Sequence, residues 1–68
     1  MRFFEAERQL KLGIARTIRR ESWPIGKIIR FVNRNMIIQE FNSNHKIYIP
    51  SGEDKIARDW EVNKYAFL

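Results

Sequence analysis

Six basic side chains gather in one stretch of the chain around one tryptophan. Arg16, Arg19, Arg20, Lys27, Arg30 and Arg34 surround Trp23. Arginine forks grip phosphate oxygens in pairs. An indole plane stacks on a nucleobase and is indifferent to which base it is. These residue types suit a ligand that carries both phosphate and a base. Trp23, Arg19, Arg20 and Lys27 are the candidate contacts. Trp23 sits in a Pro/Gly loop directly after Arg19 and Arg20, where polar neighbours do not bury it by themselves. The bland alternative is that its ring plugs one end of the core.

The chemistry of an enzyme is hard to assemble from the same sequence. There is one histidine, His45, beside a turn, and there is no cysteine. No partners stand at metal-ligand spacing from His45, and no nucleophile has an accompanying base. Glu53 and Asp54 are adjacent carboxylates capable in principle of acid–base work, but helix capping explains them more simply. The three glycines, Gly13, Gly26 and Gly52, are scattered, so there is no phosphate-cradling loop. The expectation is a binding protein without cofactor or metal.

Composition narrows the class further. A chain of 68 residues is one small domain, residues 1–68, and at this size only about 60% of the unfolded surface is buried. A hydrophobic content of 44% argues against disorder. The net charge of +5 is uneven: residues 1–34 carry +6 and residues 35–68 carry −1. A basic half attracts phosphates or polyanions through its field. No apolar run approaches the roughly 20 residues that span a bilayer. The N-terminus, Met1-Arg2-Phe3-Phe4-Glu5, lacks a leader-like apolar stretch. The sequence predicts a cytoplasmic, soluble chain with no membrane partner.

The elements that must position these residues follow from the hydrophobic pattern. Phe3, Ala6 and Leu10 fall on one helical face, and Gly13 marks a stop, so the spacing predicts a helix over 3–12. Phe4 and Leu12 lie off that stripe, free for a neighbouring element or subunit. Branched residues at 14, 17 and 18 predict a strand over 15–20, followed by a loop at 21–26. Residues 27–32, 36–41 and 46–49 predict a three-stranded meander. Its turns are Asn33-Arg34-Asn35 and Asn42-Ser43-Asn44. Phe31, Phe41 and Tyr48 lie on these strands, and their alternation fits either core packing or an exposed stacking platform. Ser51 is a good N-cap for a short helix over 52–58, with Asp54 at the third position of a capping box. Ile56 and Trp60, four apart, read as its core face. A last strand leaves at Trp60-Glu61-Val62, with Tyr65 and Phe67 near the end. The fold class is α+β: an N-terminal helix, an antiparallel sheet of four to five strands, and a second short helix before the last strand.

Three segments together carry a resemblance. They are Phe3-x-x-Ala6-x-x-x-Leu10-x-x-Gly13, Ile18-Arg19-Arg20-Glu21-Ser22-Trp23-Pro24-x-Gly26-Lys27-x-Ile29 and Glu53-Asp54-x-x-Ala57-x-Asp59-Trp60-Glu61-Val62. The chain resembles the Thoeris anti-defence 2-like domain family, small proteins of phages and prophages. The resemblance implies a sponge that binds a cyclic nucleotide immune signal and sequesters it without cleavage. The ligands it implies are cyclised ADP-ribose isomers or cyclic oligonucleotides. It also implies a homo-oligomer, tetramer or dimer, with pockets between protomers. The family's Arg-Arg-x-x-Trp segment maps onto Arg19, Arg20 and Trp23, and Asp59 carries over as a further pocket candidate. The alternative reading is a small basic nucleic-acid-binding module. A third is an inhibitor of a host protein, for which the sequence offers no argument either way.

Overall fold

The computed structural model describes residues 1–40 and 44–64 of the chain. Helix α1 covers Phe3–Lys11 and buries Phe3, Ala6 and Leu10, the stripe expected from the spacing. The backbone N–H of Arg2 donates to Glu5 Oε1 at 3.0 Å and ties down the helix start. The helix ends in a Schellman motif. Gly13 N–H donates to the Leu10 carbonyl, and Ile14 N–H reaches back to the Gln9 carbonyl. This closure needs the left-handed backbone that Gly13 adopts, with φ of +79°.

The sheet strands are β1 (Thr17–Arg20), β2 (Lys27–Val32), β3 (Asn35–Glu40), β4 (Asn44–Ile47) and β5 (Trp60–Asn63). Their spatial order is β4-β3-β2-β1-β5, and every neighbouring pair is antiparallel. The chain is therefore α+β, with a short helix α2 (Gly52–Ile56) crossing back to deliver β5 beside β1. The turn between β2 and β3 has two residues, not three. Val32 pairs with Asn35, and Asn33 and Arg34 both take positive φ, 50° and 66°. That is the primed geometry that matches strand twist.

The core is a row across one sheet face. Val62 pairs with Ile18, Ile18 with Ile29, and Ile29 with Ile38. Ile18, Ile29 and Trp60 are its largest fully buried side chains, and α1 covers them with Phe3, Ala6 and Leu10. An aromatic chain runs along one end. Trp23 meets Trp60 edge-on at 5.4 Å, Trp60 lies 5.1 Å from Phe3, and Phe3 lies 6.3 Å from Tyr48.

Several expectations shift. The first strand starts at Thr17, not residue 15, and β3 begins at Asn35. β4 covers Asn44–Ile47, so Asn44 belongs to a strand and Tyr48 lies just past it, buried. Helix α2 stops at Ile56, where Ala57 turns extended with ψ of 146°. Ile56 and Trp60 therefore share no helical face. Trp60 is buried as expected, but Ile56 is 80% exposed. Phe4 and Leu12 are exposed too. Phe41, residues 42–43, Tyr65 and Phe67 lie outside the described residues.

These placements separate two isoleucines. Ile29→Ala opens a cavity in a closed core and should lower unfolding free energy by about 2–5 kcal/mol. Ile56→Ala should change it by less than about 0.5 kcal/mol. Urea unfolding of the two variants measures both. Equal losses would place Ile56 in the core after all.

Candidate functional site

Arg19 and Arg20 are consecutive on β1, so their side chains leave the sheet on opposite faces. Arg19 pairs across the ladder with Glu61, and its Nη1 donates to Glu61 Oε1 at 3.0 Å. Its Nη2 donates to the Trp23 carbonyl. Arg19 Nε is buried without a hydrogen-bond partner among the described residues. Arg20 points to the core face. Its Nε donates to Asp59 Oδ1 at 2.9 Å, and its Nη1 reaches Asp54 Oδ1 at 3.4 Å and Glu53 at 3.7 Å.

Asp59 does more than accept from Arg20. Its Oδ2 also accepts the backbone N–H of Ser22, and its carbonyl accepts that of Glu21. The hydrogen bond from Arg20 holds the Asp59 carboxyl below its ordinary value of 3.8, helped by Ser22 and opposed by desolvation. The same bond raises the pKa of Arg20, with its charge attraction to Asp59 and the Asp54 contacts adding to it. The loop after β1 is thus stapled to the residue before β5.

Asp54 is a second node. Its N–H donates to the Ser51 hydroxyl, as expected of a capped helix. Its carboxylate accepts the Tyr48 hydroxyl at 2.6 Å as well as Arg20, and its carbonyl accepts the Trp60 indole N–H at 2.9 Å. Burial, then the bond to Asp54, raises the Tyr48 pKa far above its ordinary value. Capping alone therefore does not account for Asp54. Helix α2 buries no residue of its own, so these polar bonds fix its position.

Arg20 and Asp59 are thus brought together on the core face, while Arg19 lies on the opposite face against Glu61. Trp23 is half-buried and packs on the core, and Lys27 Nζ stands 4.7 Å from the centre of its ring. Trp23 thus plugs the core end while one ring face meets a cation. Both arginines already face carboxylates. The strand aromatics Phe31 and Tyr48 pack on or in the core, so among the described residues they offer no stacking platform on the open sheet face. His45 is exposed on edge strand β4. Among the described residues no helix is long and apolar enough to cross a membrane.

The structure groups some of the basic residues differently from the sequence, which set Arg16 and Arg30 around Trp23 and left Lys11 aside. A cleft of about 310 Å³ is bordered by Arg16, Arg30, Lys11, Phe31, Leu10 and Val32, with Gly13 beside them. Among the described residues no carboxylate lines it. Its volume is near the lower end of small-ligand sites, about 300–1,000 Å³. No family model, curated protein or solved structure matches the chain.

The Arg20–Asp59 bond has a pH signature. The depressed carboxyl contributes stability that is fully present above 3.8 and is lost as pH falls through the lower folded value. Asp59→Asn should cost about 1–2 kcal/mol at neutral pH and flatten the acid limb of the stability profile. Denaturant midpoints collected from about pH 6 down to about pH 2 measure this. An unchanged acid limb in the variant would contradict it.

Proposed function

We propose that the protein binds and sequesters a phosphate-bearing cyclic nucleotide signal, a cyclic ADP-ribose isomer or cyclic oligonucleotide, without cleaving it. One observation supports the reading most. The acids of the second half neutralise Arg19 and Arg20, while Arg8, Arg16, Lys27, Arg30 and Arg34 form no ion pair among the described residues. The basic excess of the first half is thereby left facing outward, available to an anion. The carboxylates best placed for acid–base work, Asp54 and Asp59, are tied to Arg20, and Asp54 also to Tyr48. Such groups serve as structure, which favours capture over turnover. The resemblance to the anti-defence family supplies the ligand class, the expected assembly into a homo-oligomer and a place in the host cytoplasm.

Calorimetric titration with cyclic ADP-ribose isomers and cyclic dinucleotides tests the proposal. The expected result is saturable binding in the micromolar range or tighter, with the ligand recovered intact after the protein is denatured. Silence across the panel would refute it, and so would recovery of cleaved product. Binding confined to single-stranded oligonucleotides and falling steeply with salt would replace it with a nucleic-acid module.

A further inference from the structure

We infer that a ligand phosphate seats in the cleft between the end of α1 and the diverging strands β1 and β2, on Arg16 with Lys11 beside it, and not on Arg19 and Arg20. The ligand class rests on the function proposed above; the location is argued from the geometry.

The cleft exists because two ladders part company. β1 and β2 are in register at Ile18 and Ile29. Before that point β1 follows β5: Thr17 pairs with Asn63, and Arg16 N–H donates to the Asn63 carbonyl at 2.7 Å. Beyond it β2 follows β3, with Arg30 paired to Ile37 and Phe31 to Met36. The start of β1 and the end of β2 separate, and the Schellman end of α1 closes the third side.

The chemistry of the opening fits an anion attached to something flat or apolar. Arg16 is exposed, and its guanidinium has no hydrogen bond or ion pair among the described residues. Arg30 leaves β2 on the face opposite Ile29 and leans towards β3, where it makes one long bond, 3.4 Å, to Gln39, so only its stem borders the opening. Lys11 stands at the rim, with Glu7 3.2 Å away. Half-buried Phe31 and exposed Val32 supply an apolar wall for a base or ribose. The C-terminal end of α1 opposes an anion, but it acts as a partial charge only, and the Gln9 and Leu10 carbonyls are already satisfied within the Schellman motif. At Arg19 and Arg20, by contrast, a phosphate must displace carboxylates already in place.

Two readouts test the location separately from the function. In the first, inorganic pyrophosphate is titrated while backbone amide shifts are followed by NMR. The largest shifts are expected at Gly13, Arg16, Thr17 and Val32. Shifts centred on Ser22 and Trp23, or none above those of a chloride control, would overturn the site. The second uses the cyclic nucleotide that binds in the panel. Arg16→Ala should weaken it by roughly tenfold or more, and Arg8→Ala, which removes the same charge from α1 outside the cleft, by less than about twofold. Equal losses in the two variants would overturn the site while leaving the proposed function standing. If the panel is silent but pyrophosphate moves the cleft amides, the site stands and the proposed ligand class fails.

Discussion

Arg20 stands where three segments meet: strand β1, helix α2 and the approach to β5. Its side chain is only 16% exposed, and a guanidinium cannot shed its charge there. A largely buried cation of this kind is tolerable only with carboxylates against it. Asp59 and Asp54 meet that requirement, and in doing so they fix where α2 and β5 go. Helix α2 has no buried residue of its own. The Tyr48 hydroxyl, the Trp60 indole and Arg20 hold it instead, all through Asp54. The order of the sheet, with β5 beside β1, thus depends on a polar corner as much as on the isoleucine row.

This corner also decides where free charge remains. The basic half of the chain donates two arginines to the acidic half, one on each face of the sheet. What is left over is distributed along α1, the start of β1, β2 and its turn. Some of it collects where β1 and β2 diverge, and there no acid lines the cleft among the described residues. A protein that neutralised its cations evenly would have no such place. Segregation of structural from unpaired arginines links the fold to the proposed binding function.

Much of the fold was legible in the sequence. The Phe3, Ala6, Leu10 stripe, the stop at Gly13 and the β-branched runs each act locally, so local patterns reveal them. Ile56 misled because helical spacing to Trp60 means nothing once the helix ends after five residues, and the early turn to extended backbone at Ala57 gives no signal in composition. The candidate residues were found, but the carboxylate pairings of two of them were not. The carboxylates of Glu61, Asp59 and Asp54 lie 34 to 42 positions away, and only sheet order brings them near. The opposite facing of Arg19 and Arg20 follows from strand alternation alone, and was readable once both were assigned to a strand. The cleft was not readable at all, since it depends on two ladders separating after one shared register point.

The claim that the Arg20–Asp59 contact couples β1 to the β5 approach is tested most directly by a double-mutant cycle. Arg20→Met, Asp59→Ala and the double variant are compared with the parent by denaturant unfolding at neutral pH. The account predicts a coupling free energy of about 1 kcal/mol or more. Strictly additive losses, with coupling indistinguishable from zero, would contradict it.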